Sequence, residues 1–246
     1  MKYKIQYSCV CHKGNRRPYN QDNFICNEVY LTPETREEPI AFSGSVLSTT
    51  PTLFGVFDGM GGEAYGETAS YFAASEAERS EIGKNEVNDI HAMCFNINNK
   101  ICEYAEENSL GTMGTTAAML YFGKKDIILC NIGDSKVYSF MDGNLTQISY
   151  DHAIPMPDGM KASLSQYLGM PPSDGILDPF FSRGVYNVGD MFLICSDGLS
   201  DMVDADSIKN VLTNAPFENA TDILLNKALM NGGRDNITIL LFKITK

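Results

Sequence analysis

Leu53-Phe-Gly-Val-Phe-Asp-Gly-Met-Gly-Gly-Glu63 decides how the chain is read: a short apolar run ends in an aspartate, and three of the next four residues are glycine. A run of that length with Phe and Val predicts a buried strand, and the glycines allow close backbone approach before a helix begins. A carboxylate is thus presented at a strand end. Met191–Ser200 repeats the arrangement, with Asp197-Gly198 after a second apolar run, and Asp235 stands just before the strand that contains ILLF. Asp-Gly is also the commonest hairpin pair, so each site alone could be a turn. Asp58 departs from that pattern, because its glycines lead into a predicted helix. Three aspartates at strand ends suit a hard divalent cation, since Mg²⁺ and Mn²⁺ take oxygen ligands and keep several waters.

With 246 residues, 43% hydrophobic and 20% charged, the chain has an ordinary globular composition and can bury a sizeable core. A formal net charge of −12 argues against nucleic acid or anionic membrane as a partner. MKYKIQYSCVC at the start lacks the apolar core of a signal peptide, and no later run approaches the ~20 residues of a membrane span. A cytoplasmic protein is expected. The seven cysteines include no C-x-x-C pair and mostly sit in apolar runs, which predicts reduced core thiols and no zinc site.

Residues 3 to 11 predict a strand, and NFICNEVYL a second one, the two forming a hairpin across the polar HKGNRRPYNQD turn. Arg17 and Asp22 lie in that loop, close enough to serve one site, although an Arg16-Arg17 pair is also an ordinary solvated surface. Thr32 to Pro51 reads as a loop insertion or mobile hairpin. Glu63 to Glu81 has helical composition, and Val87, Ile90, Cys94, Ile97, Ile101 and Tyr104 mark an amphipathic helix by their spacing. From Gly114 to about Ser149 an antiparallel meander is expected, interrupted by Gly133-Asp134-Ser135. A carboxylate is a poor choice inside an apolar strand without a partner or cation, so Asp134 joins the candidates, with a simple bulge as the alternative. Residues 150 to 180 carry five prolines and predict a flap over a site. A strand at 191–195, helices over 204–213 and 217–230 and a last strand at 237–244 follow. Strands and helices do not alternate as β-α-β units, so one α+β domain over 1–246, of antiparallel sheets with segregated helices, is expected.

Seven motifs, Arg17-Pro-Tyr-Asn-Gln-Asp22, Asp58-Gly-Met-Gly-Gly62, Gly114-Thr-Thr-Ala117, Gly133-Asp-Ser135, Asp151-His152, Ser196-Asp-Gly198 and Gly232-Gly-Arg-Asp-Asn236, run in order along nearly the whole chain. In them the chain resembles the metal-dependent protein serine/threonine phosphatases (PPM, type 2C), in their bacterial form. The resemblance implies a four-layer αββα sandwich, two antiparallel sheets flanked by helix pairs, with metals in a cleft at one edge. It implies that Asp58 bridges two Mn²⁺ or Mg²⁺ ions, that Gly59 supplies a carbonyl, and that Asp197 and Asp235 complete the first ion's carboxylates. Asp22 matches the acidic residue beside the second ion, through water. Asp134 matches the residue that, with Asp197, holds a weaker third ion, and Arg17 matches the arginine that grips the phosphate.

The expected activity is hydrolysis of phosphoserine and phosphothreonine in proteins by a metal-activated water, in a monomer opposing a serine/threonine kinase. Metals neutralise a phosphomonoester dianion and lower the pKa of water, and the arginine fork binds two phosphate oxygens. The family's histidine after the aspartate and glycines is replaced here by Glu63, with Met60 at the alternative position. Glu63 or a metal-bound water is the expected proton donor to the leaving group, which favours aryl phosphates; the alternative is an acidic residue in a first helical turn. His152 is expected to be structural, and the proline-rich flap departs from the family pattern. Competing expectations are a catalytically weak or inactive phosphoprotein-binding regulatory module, and a phosphatase of anti-sigma-factor antagonists. Retention of Asp58, Asp197 and Asp235 argues against the first, and the Arg17 loop with GTTA against the second.

Overall fold

The computed structural model describes residues 3–60, 65–124, 126–154 and 163–246. Its strands are β1 (Lys4–His12), β2 (Asp22–Cys26), β3 (Ile40–Leu47), β4 (Thr52–Met60), β5 (Gly114–Thr115), β6 (Ala117–Phe122), β7 (Asp126–Ile132), β8 (Lys136–Met141), β9 (Asn144–Gln147), β10 (Ala153–Ile154), β11 (Ser163–Leu164), β12 (Phe180–Val185), β13 (Met191–Cys195) and β14 (Ile237–Thr245). Its helices are α1 (Gly66–Arg79), α2 (Glu86–Glu107), α3 (Asp197–Ser200), α4 (Ala205–Asn214) and α5 (Phe217–Met230). One antiparallel sheet runs β3-β1-β14-β13-β8-β9 and the other β12-β7-β6-β4-β2, with β5 beside β4.

Both sheets are covered on both faces, which is why their central strands read as unbroken apolar runs. In β4, Phe54 and Val56 enter the core between the sheets, while Leu53 and Phe57 face α1 and α2. In β14, Leu240, Phe242 and Ile244 enter the same inter-sheet core, while Ile239 and Leu241 face α4 and α5. Phe54 anchors that core, its ring 4.8 Å from that of Phe242, 5.7 Å from Tyr7 and 5.8 Å from Phe122. The predicted stripe of α2 is buried at Ile90, Cys94, Ile97 and Ile101, against the small Ala69, Ala73 and Ala77 of α1 and the second sheet. Asp204 caps α4 by accepting a hydrogen bond from the Ser207 N–H at 2.8 Å. The layers are therefore αββα, as expected.

Three expectations are corrected. β1 and β2 are not a hairpin: β1 pairs with β14 and β3, and β2 with β4, so the 13–21 loop crosses from one sheet to the other. The meander likewise splits at Gly133-Asp134-Ser135, because β7 pairs with β6 and β12 while β8 pairs with β13 and β9. Residues 32–51, expected as a loop insertion or a mobile hairpin, instead contribute the edge strand β3, Ile40–Leu47, paired to β1. Within the expected flap, β10 pairs with β11 and β12 closes an edge of the second sheet; the 155–162 stretch lies outside the described residues. All seven cysteines are free thiols. None of the described helices is long and apolar enough to cross a membrane.

Candidate active site

Both sheet crossings fall at one end of the sandwich, together with the end of β4, the end of β13 and the start of β14. The five predicted aspartates sit there. Asp22 opens β2 directly opposite Asp58 in β4, Asp197 begins α3 immediately after β13, and Asp235 precedes β14. Asp134 lies in the turn between β7 and β8, and lines with Asp58, Asp197, Met60, Thr116 and the β11 residues a cavity of about 280 Å³. A larger cavity, about 470 Å³, opens at the opposite end of β4 against Leu53 and Tyr121, so the carboxylates and not cavity size mark the site.

The backbone around these residues is packed tightly. A Cβ on Gly59 would lie 2.2 Å from the Gly66 carbonyl oxygen and 2.5 Å from that of Gln21, which fixes the start of α1 against the end of β4. A Cβ on Gly198 would meet the Asn236 carbonyl oxygen at 1.9 Å, bringing α3 onto the turn that carries Asp235. Thr116 brackets Asp58: its Oγ1 accepts from the Asp58 N–H at 3.0 Å and its own N–H donates to the Asp58 carbonyl at 2.9 Å. That Oγ1 also shares a 2.7 Å hydrogen bond with Ser135, which links the turn beside Asp134 to Asp58.

Asp22 is 2% exposed, and its Oδ2 accepts hydrogen bonds from Ser196 Oγ at 2.8 Å and Thr238 Oγ1 at 2.7 Å. Burial pushes its carboxyl up to about 7; the two hydroxyls oppose that rise and the charges of Asp235 and Asp197 add to it. Its Oδ1 is buried without a hydrogen-bond partner among the described residues. Arg17 donates from Nη2 to Asp235 Oδ2 at 2.7 Å, and its pKa is raised by that bond first, with Asp58 and Asp197 adding to the effect. One guanidinium therefore lies in the combined field of three of the predicted ligands.

These features fit divalent cations. An orphaned carboxylate oxygen, all-oxygen donors and a guanidinium drawn among acidic groups are the signs of a site that seeks positive charge. Among the described residues no three His, Cys, Asp or Glu side chains form a ready-made cage. Mg²⁺-type ions do not need one, because they commonly take one or two carboxylates and complete the shell with waters and substrate oxygens.

Glu63 lies outside the described residues. His152 is structural in its contacts: it is buried, its Nδ1 accepts from the Gly133 N–H at 3.3 Å and its backbone N–H donates to the Gly133 carbonyl at 3.0 Å. His12 Nδ1 accepts from the Gly14 N–H at 2.9 Å and so shapes the start of the Arg17 loop. Sequence reasoning missed Thr116, Ser196, Thr238 and Asn236 as supports of the carboxylates. The only signal was their position within or beside the quoted motifs, and a threonine opening an otherwise apolar strand.

A family model described as protein phosphatase 2C matches residues 41–231. The chain is 32% identical over 202 residues to the serine/threonine protein phosphatase PstP of Mycobacterium tuberculosis, covering 76% of this chain but only 39% of that relative's length. It is 31% identical over 209 residues to the serine/threonine phosphatase stp of Listeria welshimeri, covering 76% of this chain and 82% of that one. The crystal structure of Mycobacterium tuberculosis PstP superimposes with a TM-score of 0.81 at 26% identity, over 99% of this chain and 100% of that chain. The catalytic domain of PstP in complex with two manganese ions gives 0.80, also at 26% identity. With a family model matched across most of its length, and the layers and carboxylates laid out as above, the chain belongs to the protein phosphatase 2C family.

Proposed function

We propose that this protein is a metal-dependent phosphatase that hydrolyses phosphoserine and phosphothreonine in proteins, acting as one domain over residues 1–246, as a monomer in the cytoplasm. The observation that carries the reading is the placement of Asp58 and Asp197 in one cavity at the end of the sandwich that also carries Asp235, to which Arg17 donates at 2.7 Å. Asp58, the Gly59 carbonyl, Asp197 and Asp235 would hold one ion, Asp58 and Asp22 through water would serve a second, and Asp134 with Asp197 a third. Mn²⁺ or Mg²⁺ supplies neutralisation of the phosphate charge and a water of lowered pKa.

The chain's own residues do the rest. A guanidinium has five N–H donors, and Asp235 engages one nitrogen, so Arg17 keeps donors for two phosphate oxygens while Asp235 orients it. Ser196 and Thr238 hold one oxygen of Asp22 and leave the other to face an ion or its water. Thr116 fixes the backbone of Asp58 by two hydrogen bonds. Glu63 is assigned as proton donor to the leaving oxygen. The names of the relatives, serine/threonine phosphatases, support phosphorylated proteins of a cognate kinase as substrates.

Hydrolysis of p-nitrophenyl phosphate and of a phosphothreonine peptide, with Mn²⁺, Mg²⁺ or EDTA, tests the reading. Both activities are expected to require metal and to disappear in Asp197→Ala. In Glu63→His the preference for the aryl ester should narrow, since a general acid contributes ~10²–10⁴-fold where the leaving group is poor. Metal binding without turnover would overturn the proposal in favour of a phosphoprotein-binding module.

A further inference from the structure

We propose that Asn236 is a positioning residue for Arg17: its side chain closes the 13–21 loop over the turn that carries Asp235. The inference rests on the reading of Arg17 as the phosphate-binding residue. Asn236 is 3% exposed, and its amide is fully used. Nδ2 donates to the Lys13 carbonyl at 2.8 Å and to the Tyr19 carbonyl at 3.0 Å, while Oδ1 accepts from the Gln21 N–H at 2.8 Å. Its backbone N–H donates to Asp235 Oδ1 at 2.9 Å. One residue therefore fastens the loop on both sides of Arg17 and, through its backbone, steadies the carboxylate on which Arg17 rests.

Other fastenings hold the loop more loosely. Gly14 is pressed against the Asp235 carbonyl, and Asn15 bonds to Leu229 and Gly233, which fixes the first half. Asn20 bonds to Cys11 and Arg36 and fixes the second. The Asn20–Cys11 bond also spans Arg17, but through a single amide–thiol contact at 3.2 Å. The reach of a long arginine side chain is only as precise as the backbone beneath it, and small misplacements of a binding group cost disproportionately.

Two substitutions separate positioning from mere structure. Asn236→Asp keeps the shape and the Gln21 bond, but replaces both donors to Lys13 and Tyr19 by an acceptor. Asn236→Ala removes all three side-chain bonds without adding charge. The Mn²⁺-loaded protein and each variant, alone and combined with Arg17→Ala, would be assayed on a phosphothreonine peptide. Mn²⁺ affinity would be measured by calorimetry and unfolding by thermal scanning.

Each single Asn236 variant is expected to raise KM about tenfold, the worth of one charge-assisted hydrogen bond, with kcat and Mn²⁺ affinity within about threefold of the parent. In the Arg17→Ala background the same substitution should cost less than about twofold, because residues acting as a unit are not additive. Full additivity, or a fall in Mn²⁺ affinity that parallels KM, would overturn the positioning role, as would loss of cooperative unfolding in both variants. If Arg17→Ala alone leaves KM unchanged, it is the phosphate-binding reading that fails.

Discussion

Replacing Thr238 by valine tests the support of Asp22 at constant volume. Thr238 Oγ1 donates to Asp22 Oδ2 at 2.7 Å in a fully buried setting, and shares a 3.1 Å contact with Cys11 Sγ. The carboxylate's other oxygen has no hydrogen bond to compensate among the described residues. A hydrogen bond to a charged group contributes about 1.5–3 kcal/mol, and the lost thiol contact is weak, so Thr238→Val should destabilise the metal-free protein by about 2 kcal/mol. For a chain of this size each kcal/mol shifts Tm by roughly 2–4 °C, which predicts a fall of about 4–8 °C. Scanning calorimetry with EDTA at about pH 8, where Asp22 is mostly ionised, is the assay. Thr245→Val is the control, because Thr245 stands at the end of the same strand, is only half-buried, and its hydroxyl donates to the Lys4 carbonyl at 3.2 Å and not to a carboxylate. It should change stability by less than about 0.5 kcal/mol. Equal Tm values for the two variants would refute the argument that the hydroxyl holds a buried carboxylate.

Gly198→Ala should cost about 1–3 kcal/mol by forced displacement, since its Cβ would sit 1.9 Å from the Asn236 carbonyl oxygen, and backbone cannot yield as a side chain does. Urea denaturation checks it against Gly184→Ala, whose nearest neighbour is 3.8 Å away and which should leave the urea midpoint nearly unchanged. Burial lowers the pKa of His152 below its ordinary value. The unfolded chain then binds more protons than the native one, so His152 contributes stability that is present above the unfolded pKa of about 6.5 and is lost as pH falls below it. The difference in urea midpoint between the parent and His152→Asn should therefore shrink as pH falls from about 7.5 to about 5.5; a difference independent of pH would refute the assignment.

Much of the fold was legible because its signals are local. The 3-4-3-4 spacing in α2 reports one buried helical face, and the unbroken apolar runs of β4, β13 and β14 report burial on both faces. Aspartates at the ends of such runs stood out because an apolar strand has no use for a carboxylate. The same unbroken runs hide which strands pair, since a strand buried on both faces shows no alternation. Hence β1 and β2 read as a hairpin although they belong to different sheets.

β3 was invisible for a related reason. IAFSGSVL is mostly exposed and weakly patterned, and it is a strand because β1 offers a free edge to pair with. Residue types and order along the chain determined which groups could hold a cation or a phosphate. Tertiary structure alone decided that they meet, because Asp22 and Asp235 are joined by hydroxyls and by the Asn236 amide across more than two hundred residues of chain. Hydrogen bonds and charge fields depend on separation in space, and the two crossings between sheets are what make that separation small.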